Sequence, residues 1–278
     1  MIYKREKISE INNCQSLKDS KAVLTSFIIE NSPEINMECK RPAVLICPGG
    51  AYEFLSDREG EVVAQRFIAN DINAFVLKYS IEKEKVYPVQ LLEASAALAY
   101  IRQNSEALNI DPDKIIICGF SAGGHLAGNL GVSWQEPFIA ESLGINEGEN
   151  MPNGMILSYP VITGGQYAHR DSFKNLLGNG ANEENYEKLS LEKLVTKNTP
   201  KTFIWHTFED DCVPLENTML FAEALRKNEI PFEMHIYPKG GHGLSLADKS
   251  SANVNDEGHI NPHVASWFKL AKEWIGIN

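Results

Sequence analysis

The chain has 278 residues, and 37 acidic against 26 basic residues give it a formal net charge of −11. That balance argues against nucleic acid, whose phosphates demand a basic face, and equally against an anionic membrane surface. The composition, 43% hydrophobic and 23% charged, is that of a globular chain, and no apolar run approaches the roughly 18 residues needed to span a bilayer.

The amino end, MIYKREKISEINN, is polar and lacks the apolar segment of a secretory signal. Cys14, Cys39, Cys47, Cys118 and Cys212 are odd in number, scattered, and form no C-x-x-C. They read as buried or incidental thiols, and a cytoplasmic location is expected. RPAVLICPGG (41–50) opens as a strand and breaks at Pro48, and 57–70 follows as a helix with Asp57, Glu59 and Glu61 near its positive end. INAFVLKYS (72–80) is the next strand. Pro88 starts a long helix whose face runs Val89, Leu92, Ala96, Ala99. DKIIICGFS (113–121) is a nearly continuous apolar strand, as suits a parallel sheet covered on both faces. GMILSYPVI (154–162), KTFIWHT (201–207) and FEMHIYP (232–238) are further strands, and 216–228 and 263–276 read as helices.

This alternation predicts a mostly parallel, doubly wound α/β sheet filling 1–278 as one domain. Residues 134–153 and 163–200 break the rhythm and read as insertions shaping the entrance to a site.

The strongest local signal is Gly119-Phe120-Ser121-Ala122-Gly123, directly after the apolar strand and opening a helical stretch. A serine that must meet substrate projects from a tight strand-to-helix turn, and the flanking glycines leave room for the approaching backbone. Serine is a weak nucleophile, so it needs a base, and the base needs an orienting acid. The acid is expected just past the strand at 201–207, from Glu209, Asp210 or Asp211. The base is expected after the next strand, where His242 stands among glycines. His235 lies within a strand, His125 follows Ser121 by one turn, His169 is in an insertion, and His259 and His263 crowd the last helix. His206 ends a strand and is assigned to packing or hydrogen bonding near the acid loop. Acyl transfer also needs an oxyanion hole. Its expected donors are the Ala122 amide and the loop of Gly49 and Gly50.

These residues resemble the α/β-hydrolase superfamily, and more closely the bacterial esterase/lipase-like group that includes acetyl-xylan and other sugar-ester esterases. The segments that carry this are PGGAYEFLSDREGEVVAQRF (48–67), GFSAGGHLAGNL (119–130), WHTFEDDCVPLENTMLFAEAL (205–225) and YPKGGHGLSLA (237–247). The resemblance implies an α/β-hydrolase fold, Ser121 as nucleophile, Asp210 as acid and His242 as base. It also implies a cofactor-free carboxylesterase acting on short acyl esters through an acyl-enzyme, with an acylated sugar as the expected small-molecule partner. Many relatives carry His-Gly-Gly-Gly in the oxyanion loop; here Pro48 stands for the His and Ala51 for the third Gly.

Tyr52 and Tyr159 are expected to contact substrate, with Phe54 and Trp134 as further pocket candidates. A metal site drawn from Asp256, Glu257, His259 and His263 is set aside, because Pro262 and neighbouring Asn and Gly residues make this a loop. Gly123-Gly124 lacks the Lys-[Ser/Thr] of a phosphate loop. The rival readings are a peptidase or arylformamidase on the same framework, and a non-catalytic small-molecule receptor.

Overall fold

Apolar runs that lack a polar alternation must be buried on both faces, and the sheet of this protein meets that demand. A computed structural model describes residues 1–12, 14–83 and 85–276. Its strands are β1 (Ile2–Lys7), β2 (Val23–Ile28), β3 (Arg41–Cys47), β4 (Asn73–Lys78), β5 (Ile110–Phe120), β6 (Gly154–Ser158), β7 (Thr202–Thr207) and β8 (Phe232–Tyr237). They form one sheet in the order β1-β2-β4-β3-β5-β6-β7-β8. The strands from β3 to β8 pair in parallel, whereas β1–β2 and β2–β4 are antiparallel.

The helices are α1 (Ile8–Ile11), α2 (Glu61–Ile68), α3 (Val89–Gln103), α4 (Ala122–Ser133), α5 (Pro137–Leu143), α6 (Arg170–Leu177), α7 (Glu183–Lys188), α8 (Glu216–Lys227) and α9 (Ser266–Ile275). Side chains alternate across a strand, so the central strands supply two cores. In β5, Ile115 and Ile117 join the core formed with α3, α4 and α8. Ile116, Cys118 and Phe120 join the opposite core, with Val63 and Phe67 of α2 and Trp267 and Phe268 of α9. Burial pushes the Cys47 and Cys118 thiols well up. None of the described helices is long and apolar enough to cross a membrane.

The structure refines the sequence expectation in several places, among them β6, which ends at Ser158 rather than at 162, and β5, which begins at Ile110. The helix expected over 57–70 divides at Gly60 into a 3-10 turn, Asp57–Glu59, and α2, and Glu59 on that turn is buried. The helix expected over 263–276 begins only at Ser266. The antiparallel strands β1 and β2 were not expected; β1 is a charged, exposed edge, a composition that discourages pairing with other chains. The insertions contain short helices, α5 in the first and α6 and α7 in the second.

Candidate active site

Ser121 is the single residue between the end of β5 and the start of α4, at φ 54° and ψ −119°. Three backbone hydrogen bonds hold it there. Its amide donates to Ser158 O at 3.0 Å, and its carbonyl accepts from His125 N and Val161 N, each at 3.1 Å. The turn leaves no space for side chains beside it. A Cβ on Gly123 would stand 2.1 Å from Cys47 O, so α4 starts in backbone contact with the end of β3.

The side chains of Ser121, His242 and Asp210 meet at the carboxyl ends of β5, β7 and β8. Ser121 Oγ lies 2.8 Å from His242 Nε2, and His242 Nδ1 lies 2.7 Å from Asp210 Oδ2. A carboxylate only accepts, so Nδ1 carries the proton and Nε2 is left to accept from the serine hydroxyl. The other oxygen of Asp210, Oδ1, accepts from Cys212 N at 3.0 Å and Val213 N at 2.9 Å.

His206 adds a contact that spacing alone does not reveal. Its Nε2 faces two acceptors, Asp210 Oδ2 at 3.1 Å and Val213 O at 3.0 Å, so it is a donor to the same carboxylate oxygen that binds His242. Its Nδ1 meets the Thr218 hydroxyl at 2.8 Å. Burial alone would push the Asp210 carboxyl up. Hydrogen bonds from His206 and His242, with the charges of the two imidazoles, instead hold it well below the usual carboxylate range.

The neighbouring acids point elsewhere. Glu209 binds the base loop, accepting from Lys239 Nζ and, at 3.2 Å, from Gly240 N. Asp211 is exposed. It does not cap the following helix, since α8 has no side-chain cap.

The oxyanion loop departs from expectation at one glycine. The Gly49 amide donates to Glu59 Oε2 at 2.8 Å and is therefore already engaged. The amides of Gly50 and Ala122 donate to no group among the described residues. They remain as candidate donors for a developing oxyanion. Gly50 takes φ +125°, and a Cβ there would lie 2.1 Å from Phe54 O.

The two tyrosines expected to touch substrate have their hydroxyls occupied within the protein. Tyr159 is 1% exposed, donates to Glu59 Oε1 at 2.6 Å and accepts from Ser245 N at 2.9 Å. Its ring stands edge-on to His242 with centroids 5.0 Å apart, behind the base. The Tyr52 hydroxyl lies 3.0 Å from His125 Nδ1, whose Nε2 lies 3.1 Å from Leu189 O. The carbonyl accepts from Nε2, which leaves Nδ1 to accept from Tyr52. A cavity of about 800 Å³ opens beside the oxyanion loop, lined in part by Tyr52, Glu53, Lys174 and Asn175. Phe54 is exposed, and the Trp134 indole donates to Asn198 O at 3.1 Å, joining the two insertions.

Against known proteins, the BD-FAE family model matches residues 32–225, which is more than half of the chain. The chain belongs to the BD-FAE family. It is 30% identical over 239 residues to an acetylxylan esterase of Xylanibacter ruminicola, an alignment covering 82% of this chain and 45% of that protein. It is 43% identical over 221 residues to endo-1,4-beta-xylanase B of Butyrivibrio fibrisolvens, covering 77% of this chain and 34% of the relative. The chain thus spans less than half the length of either curated relative. The crystal structure of an acetyl ester-xyloside bifunctional hydrolase from Caldicellulosiruptor lactoaceticus superposes with a TM-score of 0.77 at 35% identity, over 92% of this chain and 87% of that one. The fold of this BD-FAE member is the α/β-hydrolase fold, as the strand order and the superposition both show.

His125 makes the stability of this BD-FAE member depend on pH. Burial pulls its imidazole down from 6.5 to about 4, against the opposing hydrogen bond to Leu189 O. A histidine whose folded-state value is depressed binds fewer protons folded than unfolded, so its contribution is complete above pH 6.5 and is lost as pH falls toward 4. A fall from 6.5 to about 4 corresponds to roughly 3 kcal/mol at the acid end. His169 and His259 are shifted in the same direction, so the variant must be compared with wild type. His125→Gln is expected to flatten the dependence of Tm on pH between 7 and 4.5. Parallel curves for the two proteins would show that His125 carries none of it.

Proposed function

We propose that the protein is a serine carboxylesterase that removes short acyl groups, acetyl above all, from carbohydrate esters. The observation that carries this is the unbroken contact chain from Ser121 Oγ through His242 to Asp210, at 2.8 and 2.7 Å, ending on a buried carboxylate. In the reaction, Ser121 Oγ attacks the ester carbonyl carbon and His242 Nε2 takes its proton. The carbonyl oxygen becomes an oxyanion facing the Gly50 and Ala122 amides. Collapse of the tetrahedral intermediate breaks the bond to the alcohol oxygen, which leaves with the proton from His242. Water, deprotonated by His242, then attacks the acyl-serine; the bond from the acyl carbon to Ser121 Oγ breaks, Oγ regains the proton from His242, and the acid is released. Asp210 stays ionised throughout and stabilises the imidazolium.

The substrate class rests on other grounds. Two similar proteins, an acetylxylan esterase and an acetyl ester-xyloside hydrolase, bear names that pair acetyl esters with xylose-based carbohydrates. The entrance is built from short helices, α6 and α7, and offers no long apolar helix to cover a fatty chain.

Ser121→Ala is expected to abolish hydrolysis of p-nitrophenyl acetate while leaving the circular dichroism spectrum unchanged. A folded Ser121→Ala protein with near-native turnover would overturn the reading, as would failure of a fluorophosphonate probe to label wild type.

Asp210→Asn and Asp211→Asn test the acid. In a serine protease, amidating the triad Asp costs about 10⁴ in kcat. Asp210→Asn should fall by a comparable order, and Asp211→Asn should stay close to wild type. The reverse ranking would place the acid one residue later.

Acyl-chain selectivity follows from the short cap. Acetyl and butyryl esters are expected to outpace octanoyl esters in kcat/KM. Faster turnover of octanoyl esters would contradict the proposed substrate class.

A further inference from the structure

Glu59 is a buried carboxylate that the reaction above does not use. We propose that Glu59 is a positioning residue, one carboxylate that fixes the oxyanion loop and the base loop relative to each other. The proposal rests on the reading of Ser121 as nucleophile.

One end of the link is the oxyanion loop. The peptide unit between Pro48 and Gly49 is held at both polar ends: its carbonyl accepts from the Tyr79 hydroxyl at 2.7 Å, and its N–H donates to Glu59 Oε2 at 2.8 Å. The next peptide unit is held through its carbonyl, since Gly49 O accepts from Ser56 N at 3.0 Å. A trans peptide points its N–H opposite its carbonyl, so the Gly50 N–H is aimed by contacts made on its far side. With the Gly49 amide turned to Glu59, Gly50 is the first amide of the loop left available as a donor.

The other end is the loop carrying His242. Glu59 Oε1 accepts from the Tyr159 hydroxyl at 2.6 Å, and that oxygen accepts from Ser245 N at 2.9 Å. Burial first, then the charge and hydrogen bond of Glu59, push the Tyr159 hydroxyl well above its ordinary value, so it keeps its proton and donates. Ser245 Oγ donates to Arg58 O, and Ser245 O accepts from the Trp267 indole at 2.9 Å. The backbone and side chain of residues 58–59 thus both grip the segment three residues past His242. The Tyr159 ring closes the link against the imidazole itself.

Oxyanion donors act because they are already in place when charge develops, so a loosened link should appear in the transition state more than in the bound substrate. Glu59→Gln keeps the size but supplies one acceptor and one donor where two acceptors are needed. Tyr159→Phe keeps the ring and removes the hydroxyl that joins the two loops.

The test measures steady-state hydrolysis of p-nitrophenyl acetate, the rate of fluorophosphonate labelling of Ser121, and Tm. For both variants kcat is expected to fall about 10- to 100-fold, as when one oxyanion donor is weakened or lost, with KM within about twofold of wild type. Labelling should slow in parallel, and the double variant should be no slower than the worse single one. A folded Glu59→Gln protein with wild-type kcat and labelling, whatever its Tm, overturns the proposal. Multiplying losses in the double variant overturn the shared link. Should Glu59→Gln not fold, wild-type kcat in Tyr159→Phe overturns it equally. If wild type itself is not labelled, the reading of Ser121 fails and this inference falls with it; labelling of wild type that is unchanged in the variants sinks the inference alone.

Discussion

Ser121 holds φ 54° and ψ −119°, a backbone region that an L-residue enters only when its surroundings leave it no alternative. The surroundings are supplied by the sheet. β5 delivers the serine from one side, α4 leaves at once on the other, and the Ser158 and Val161 backbones fix both polar groups of the turn. This geometry needs a helix start in contact with the neighbouring strand end, which only glycine permits at position 123. It also needs α4 to run through the interior, where all twelve of its residues are buried. The strain at one residue is thus maintained by the packing of a large part of the core, and the hydroxyl it presents is only slightly exposed.

The charges of the site follow a consistent physical rule. The chain carries a large excess of acid, yet the two carboxylates nearest the serine are buried and receive no lysine or arginine hydrogen bond. A buried carboxylate is costly unless each oxygen is well bonded. Asp210 receives two backbone amides and two imidazoles, and Glu59 receives an amide and a phenol. These donors satisfy both carboxylates without a lysine or arginine hydrogen bond. The Asp210 charge therefore bears on the two imidazoles it binds rather than on a lysine or arginine.

The central sheet was legible because strands buried on both faces must be continuously apolar, and 43–47 and 115–120 are. β1 was not, because an exposed edge strand of Lys, Arg and Glu carries no burial signal. The elbow at 119–123 and the glycine-flanked His242 could be found because their chemistry demands a local pattern. Asp210 could be distinguished from Glu209 and Asp211 only by resemblance, and the structure gives the physical reason: three consecutive carboxylates in a turning loop diverge, and one of them meets His242. Glu59 could not have been found this way. Its partner Tyr159 is 100 residues distant, and the sequence shows only an acid near a helix start. The Gly49 expectation failed for a related reason. Sequence records that a glycine lets the backbone approach closely, but not that its amide has already found an acceptor.

The insertion at 163–200 forms a wall that hydrogen bonds tie to α8, to α4 and to the loop after β3. Asn217 of α8 binds three of its neighbouring backbone groups, accepting from Ile162 N and Thr163 N and donating to Tyr167 O. Asn175 donates to Ala51 O in the oxyanion loop at 2.9 Å, so α6 is tied directly to that loop. The His125 imidazole reaches from α4 to Leu189 O, and Gly164 N donates to Ser190 Oγ within the insertion. A lid that opens on each turnover would have to break several of these bonds while exposing Phe173 and Leu176, both 1% exposed. The cavity beside Tyr52 is bounded on one side by this wall, through Lys174, Asn175 and Leu177, and on the other by Ile81, Lys83 and Val86. The loop that follows β3 is thus fastened from two sides, by Asn175 of α6 at Ala51 O and by Glu59 at Gly49 N.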